Sequence, residues 1–446
     1  MLLNPLSRRV RVHQGFPIVR GAFPLAGHLP AIVRNLPDLL RQAGQDVGSH
    51  FWLDFGPAGL SLVCLHPDAF SLFKNKLTTS CVIEDMVPEM FGNTVVAQDG
   101  ARHRSIRAAM NGAFQPKGLA AAEVGPLFAG IIERKITEWH ARSEINLLQE
   151  SGDLMLALVF RLMGIEETKF SIWRKKYGQF LQLVIAPPID LPGMPLYRGR
   201  RARAWIDEQL QGFIRDARWQ PDGPGLLAAL VRSFDHSDGQ LSDTDLLANL
   251  RLLILAGHET TASTMAWVVI ELAQRPAVWD ALCEEVKRIG SVPRSPPDLA
   301  DFPVAEALFR ETLRIHPATT MLPRRAVVDF ELGGRVVAAD THLTIPVVHL
   351  SRHPELYDRP DEFDLERWLG RGESIKPSEM LQFGGGPHVC IGYHLVWMEM
   401  VQFCAALALT MSAKGVRPRL LTLQPPTGKN YYPTAHPPAA TRVVFG

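Results

Sequence analysis

Cys390 stands in the segment Phe383-Gly384-Gly385-Gly386-Pro387-His388-Val389-Cys390-Ile391-Gly392, whose composition bends the chain to present one sulfur. Three consecutive glycines permit backbone that a Cβ would resist, Pro387 fixes one φ, and the apolar run from Tyr393 reads as a helix starting just beyond. Backbone N–H groups in such a loop can point at the sulfur and stabilise a thiolate, the form that binds iron. Cys390 is therefore read as an iron ligand.

A second constellation, Ala256-Gly257-His258-Glu259-Thr260-Thr261, sets an acid beside an alcohol. Leu252, Leu253, Ile254 and Leu255 precede it and Trp267, Val268, Val269 and Ile270 follow, so its polar groups are costly unless used or paired. The run from about Asp243 to Gln274 reads as one helix, opened by Ser242-Asp243-Thr244-Asp245 and closed by Arg275-Pro276. At about 1.5 Å per residue it would span roughly 48 Å, enough to cross a large domain. Gly257 removes a side chain, and Thr260 can bond the carbonyl four residues back and loosen the turn. A groove at Ala256 and Gly257 is the expected result.

Two sets of charges would support these groups. Glu311 and Arg314 lie three apart in an apolar-periodic helix starting near Pro303 and ending before Pro317, so they share a face and can pair. His103 and Arg107 lie four apart on one face of another helix and suit a carboxylate that leaves water.

The cysteine segment resembles the haem-binding loop of the cytochrome P450 family: a Phe, two variable residues, Gly, three more, Cys, one more, Gly. Phe383, Gly386, Cys390 and Gly392 occupy the fixed positions. The second constellation resembles the family's distal motif, Ala/Gly-Gly-x-Asp/Glu-Thr-Thr. By that resemblance Thr260 donates toward dioxygen and Glu259 feeds the protons that O–O cleavage needs. Glu311-Thr312-Leu313-Arg314 resembles the family's Glu-x-x-Arg helix, and Pro360 to Trp368 its later Pro-Glu-Arg segment, with Leu365 in place of the usual Pro. There Arg367 would join Glu311 and Arg314 in a buried triad behind the cysteine loop. The resemblance makes His103, Arg107, His388 and Arg324, with Arg325 as the second choice, donors to the haem propionates. Ala256, Gly257, Phe383, Gly384 and Gly392 would lie against the ring.

What the resemblance implies for the whole chain is a P450 fold, mainly α with a smaller β region (α+β), as one domain over residues 1–446. Extended pieces at Phe51 to Cys64 and Ala326 to Val348 read as its strands. The implied activity is a haem-thiolate monooxygenase that inserts one atom of dioxygen into a C–H bond. The cofactor is non-covalent haem b, and electrons come ultimately from NAD(P)H through a separate ferredoxin or flavodoxin with its reductase. Arg102, Arg104 and Lys117 beside the His103 helix offer that acidic partner a basic face. The alternative is a haem-thiolate protein that binds a ligand or gas without turnover. Glu259 and Thr260 favour turnover, because a sensor has no need of a proton relay.

Substrate contacts are implied for Val82, Ile83, Met86, Leu183, Ala256, Thr260, Thr319, Met321 and Tyr431, mostly apolar, so the substrate is lipophilic: a terpenoid, steroid, fatty acid or polyketide. The run Leu191 to Tyr197 resembles the roof loop of P450s that take sterols, retinoids and terpenoids. A net charge of +1 gives no global field for nucleic acid. No run of 18 apolar residues occurs and no linker or repeat divides the 446 residues. The expectation is a cytoplasmic monomer without a transmembrane anchor, and five widely spaced cysteines suit a reducing compartment.

Overall fold

A computed structural model of the chain describes residues 12–74, 76–184, 186, 189–220, 222–237, 239–371, 375, 377–421 and 434–446. Its main sheet has five strands: β1 (His50–Asp54), β2 (Leu60–Cys64), β3 (Thr78–Thr79), β4 (Leu322–Ala326) and β5 (His342–Ile345). They lie side by side in the order β1-β2-β5-β4-β3, with β2 and β5 parallel and the other pairs antiparallel. Successive side chains of a strand point to opposite faces, and this sheet uses both. Trp52, Leu62, Leu343 and Ile345 join a cluster on one side, while Phe51, Leu53 and Val63 pack on the other against the helix α1 (Leu29–Val47).

Between β3 and β4 the chain inserts most of its helices, among them α2 (Gly100–Phe114), α3 (Val124–His140), α4 (Leu147–Leu162), α5 (Asp243–Gln274) and α6 (Pro303–Ile315). This insertion explains why chemically suggestive residues are scattered along the sequence: strands that pair are separated by the body that they support. The last long helix, α7 (Tyr393–Ser412), packs on α3 and α6. It is, among the described residues, the one helix long and apolar enough to cross a membrane by length and composition, and two thirds of its most apolar window, 67%, is buried in the protein. Trp139, Phe160 and Phe403 are wholly buried in this helical core, each contributing about 1.5–3 kcal/mol by leaving water.

The long helix runs over the residues expected of it. Ser242 Oγ accepts from the Asp245 N–H at 3.3 Å and Asp245 Oδ2 accepts from the Ser242 N–H at 2.8 Å, a reciprocal cap worth about 1 kcal/mol. The extended reading of Ala326 to Val348 needs one correction. Phe330–Leu332 and Arg335–Val337 form a hairpin turned at Gly333-Gly334, and β5 ends at Ile345, but Val347–Leu350 is helical. Pro346 has no N–H to give a ladder, and the carbonyl that it keeps accepts from the Leu350 N–H at 3.0 Å.

Candidate active site

The glycine loop turns tightly because it is crowded. Gly386 has φ +60°, and a Cβ there would lie 2.5 Å from the Phe73 carbonyl oxygen, so no other residue fits without a shift. Phe383 O accepts the Cys390 N–H at 2.7 Å, closing the loop just before α7 begins at Tyr393. Cys390 has many protein neighbours yet keeps accessible surface, because it opens onto an internal cavity. Burial pushes its thiol up, while the Gly392 N–H and the Arg107 guanidinium act against burial and favour the thiolate. A bound cation would complete that deprotonation.

The cavity measures about 320 Å³ and has a mainly apolar wall. On the far side, α5 presents Leu252, Leu253, Ala256, Gly257, Thr260 and Thr264, a single stripe at three- and four-residue spacing. Thr260 Oγ1 donates to the Ala256 carbonyl at 2.7 Å, the back-bond expected of it. Gly257 lines the cavity too, but its missing side chain serves helix packing: a Cβ would meet Val159 of α4 at 3.3 Å. Glu259 is not in the wall. Burial raises its carboxyl, with His436 acting the other way, and its charge is felt by Tyr177, whose hydroxyl is buried without a hydrogen-bond partner.

At the rim, Arg107 lines the cavity and donates to the Val389 carbonyl at 2.5 Å. His103, one turn earlier on α2, is buried and its Nε2 has no hydrogen-bond partner. His388 also lines the cavity, and its Nε2 donates to Asp99 Oδ1 at 2.6 Å. Burial acts to raise the Asp99 carboxyl, but donors from His388, Thr79 and Ser80 outweigh it and hold the carboxyl well below the usual range. Arg324 lies close by on β4, buried, with Nε donating to Thr78 Oγ1 at 3.0 Å; Arg325 instead pairs with Asp85 at 2.9 Å.

Behind the loop, Glu311 is wholly buried and accepts four hydrogen bonds: Arg314 Nε at 2.8 Å and Nη2 at 2.7 Å, the Asp364 N–H at 2.9 Å and Trp368 Nε1 at 2.7 Å. Arg367 approaches at 3.5 Å as an ion pair only, and its Nε makes no hydrogen bond.

Sequence reasoning overlooked Asp99 and Trp368. Asp99 is adjacent in sequence to the α2 motif and could have been found as the only acid in Asp99 to Arg107; Trp368 carries an indole N–H that a buried position must satisfy. Thr319 lines the cavity. Val82, Ile83, Leu183 and Met321 are not among the residues that line it. Val82–Met86 is a short helix against β4, Leu183 fills the space under Gly199, and Met321 joins the α1 cluster. Tyr431 and the side chain of Met86 lie outside the described residues. Arg102 is likewise not a free surface cation: it pairs with the buried Asp245 and donates to the Gln240 carbonyl at 3.1 Å.

The residues present fit a haem. A thiol directed into an apolar cavity would supply a sulfur ligand to the iron, and the orphaned His103 Nε2 with Arg107 would offer donors to its carboxylates. A family model described as cytochrome P450 matches residues 17–411. The chain is 56% identical over 445 residues to the cytochrome P450 BJ-4 homolog of Sinorhizobium fredii, covering 100% of this chain and 99% of that one. It is 28% identical over 410 residues to cyclooctat-9-en-7-ol 5-monooxygenase of Streptomyces melanosporofaciens, covering 87% of each. Among solved structures, a cyanobacterial P450 with retinoic acid bound aligns at a TM-score of 0.82 with 22% identity, covering 97% of this chain and 99% of that one.

Proposed function

The chain belongs to the cytochrome P450 family and is a haem-dependent monooxygenase, and from that premise we propose that it hydroxylates a C–H bond of a lipophile of terpenoid or retinoid size. One observation carries the proposal: Cys390 and Thr260 open onto the same apolar cavity from opposite elements, the loop before α7 and the middle of α5. The bound haem iron supplies the oxygen-activating chemistry. One oxygen atom of dioxygen enters the substrate as hydroxyl and the other leaves as water, which consumes two electrons and two protons.

The chain's own residues set the conditions. Cys390 would be the sulfur ligand: the Gly392 N–H and Arg107 favour its thiolate against burial, and the bound iron would complete the deprotonation. His103, Arg107, His388 and Arg324 hold the propionates, while Phe383, Gly384, Ala256, Gly257 and Gly392 bound the ring. Thr260 can turn its hydroxyl from the Ala256 carbonyl toward the oxygen site, and Glu259, whose carboxyl burial raises, can supply a proton from behind. The apolar wall excludes water from that path except where Thr260, Thr261 and Thr264 host it. The substrate class rests on this wall, on the resemblance of the Leu191 to Tyr197 roof, and on relatives named for a cyclic alcohol and a retinoid ligand.

Electrons would reach the site from NAD(P)H through a ferredoxin or flavodoxin and its reductase, docking near Arg104 and Lys117. One domain, a monomeric state and a cytoplasmic location complete the reading; the five free cysteines suit a reducing compartment. The second reading, ligand sensing without turnover, would leave a raised-pKa acid behind a cavity-facing hydroxyl without a task. The test is a spectral titration of the purified haem protein with terpenoids, retinoids, steroids, fatty acids and macrolides. A cyclic isoprenoid alcohol or retinoid should shift the Soret band at micromolar concentration and yield a singly hydroxylated product with NAD(P)H and a surrogate redox pair. A shift without product would favour the sensor reading.

A further inference from the structure

Away from the cavity, the hairpin β1–β2 and the turn after it gather three side chains of the kind that hold divalent cations. His50 and Cys64 are opposed across the two strands, and Asp68 follows in the 3-10 turn Pro67–Phe73. His50 Nε2 lies 3.2 Å from Cys64 Sγ and 3.1 Å from Asp68 Oδ2, and Cys64 Sγ lies 2.9 Å from Asp68 Oδ1. All three ligand atoms fall within 4.8 Å of one another.

Hydrogen bonding alone could bring such a trio together, so the surroundings decide. The ring of His50 is fixed from behind. Its Nδ1 lies 3.0 Å from Ser49 Oγ, and the ring rests on Gly333, where a Cβ would come within 2.8 Å of Nδ1. Without a cation, Nε2–H donates to the Asp68 carboxylate at 3.1 Å; on binding, the neutral ring would carry its proton on Nδ1, facing Ser49 Oγ, and turn the Nε2 lone pair to the cation, since a ligating histidine ordinarily gives its other N–H to an oxygen. His66 Nδ1 accepts the Asp68 N–H at 3.2 Å and so positions the carboxylate. Cys64 is wholly buried while the Asp68 side chain is 31% exposed, which leaves the cluster closed beneath and reachable from one side.

Charge and spacing agree. A neutral imidazole, a thiolate and a carboxylate balance a doubly charged ion, and thiolate with imidazole suits zinc better than magnesium or calcium. Zinc bonds of ordinary length would hold the ligand atoms roughly 3.4–3.6 Å apart in a tetrahedron, so the trio must open by roughly 0.3–0.7 Å, most of it between the sulfur and the carboxylate. We propose that His50, Cys64 and Asp68 form a three-ligand site for a zinc-class divalent cation, with the fourth position open to water. On binding, the Cys64 S–H bond breaks, its proton leaves to solvent, and a sulfur–zinc bond forms with no change of oxidation state. The same turn ends at Phe73, which bounds Gly385 and Gly386 of the cysteine loop, so the cation would brace the wall behind Cys390.

The proposal is independent of the substrate and is tested without turnover. Tag-free haem-loaded protein is stripped with a chelator, dialysed, titrated calorimetrically with zinc chloride, and its bound zinc counted by mass spectrometry. Wild type should take one zinc per chain. Cys64→Ser and Asp68→Asn should each weaken binding at least tenfold while leaving the reduced carbon monoxide spectrum intact, which separates loss of the site from misfolding. Zinc K-edge absorption should report one sulfur neighbour in wild type. Binding well below one equivalent, zinc binding that survives both substitutions, or a zinc shell without sulfur would overturn the proposal.

Discussion

The imidazole rings of His103 and His388 lie 4.2 Å apart, centroid to centroid, and are tilted by 39°. His388 directs its Nε2–H to Asp99, whereas His103 Nε2 is buried and unpaired. Burial, reinforced by His388 and Arg107, pulls the pKa of His103 down to about 4, so the ring is neutral at pH 7. A buried polar atom without a partner costs about 1–3 kcal/mol, a cost that a propionate arriving between the rings and Arg107 would remove.

His103→Phe keeps a ring in the stack and removes the nitrogen. Haem should leave this variant severalfold faster in transfer to apomyoglobin, while the thermal midpoint of the haem-free protein stays level or rises. Wild-type transfer rates would place the carboxylate donors elsewhere.

The Glu311 network predicts an order of costs. Stripping a buried charge from its partners costs about 3–5 kcal/mol, so Glu311→Ala should yield mostly haem-free or aggregated protein. Trp368→Phe removes one donor to a carboxylate and should cost about 1.5–3 kcal/mol. Arg367→Ala should cost least, because Arg367 stands 3.5 Å from Glu311 without a hydrogen bond to it, its Nη2 donating instead to the Arg359 carbonyl at 3.2 Å. Chemical denaturation checks the order, and an Arg367 variant as damaged as the Glu311 variant would reverse it.

The sequence legibly specified those parts whose chemistry is local. The α5 boundaries follow from a cap and a proline, and the Glu311–Arg314 pair from helical spacing. The Cys390 loop follows from three glycines: crowding against Phe73 explains Gly385 and Gly386, and a φ of +76° explains Gly384. What could not be read there depends on contacts between distant segments. Met321 and Leu183 are apolar, and apolarity alone does not choose between a cavity wall and the α1 cluster or the space under Gly199. Arg102 looked like a surface cation until α2 met the start of α5, where Asp245 needed a partner. Gly257 was expected to make room for a ligand and makes room for Val159 as well.

Thr260→Ala removes a hydroxyl that faces the cavity and now bonds to Ala256. Haem loading and substrate affinity should change little, while product formed per NAD(P)H consumed should fall severalfold as electrons drain to peroxide or water. Coupling equal to wild type would make the hydroxyl purely structural.

His258 gives a pH dependence. Burial is the main cause that brings its pKa down to about 4, against about 6.5 in an unfolded chain. Between these values the unfolded state binds more protons, so this group leaves stability unchanged above about pH 6.5 and lowers it as pH falls toward 4, by at most about 3 kcal/mol. His258→Asn should therefore lose less unfolding free energy than wild type between pH 7 and pH 5, by on the order of 1–2 kcal/mol. Parallel curves would mean that another group carries the acid sensitivity.

The central claim is that Cys390 is the sulfur ligand of the haem iron, and the reduced carbon monoxide spectrum of Cys390→His tests it most directly. The account predicts that this variant, still folded and haem-loaded, loses the thiolate-type Soret band, while Cys64→Ser, Cys81→Ser, Cys283→Ser and Cys404→Ser keep it. A thiolate-type band that persists in Cys390→His, or that disappears on replacing another cysteine, would contradict it.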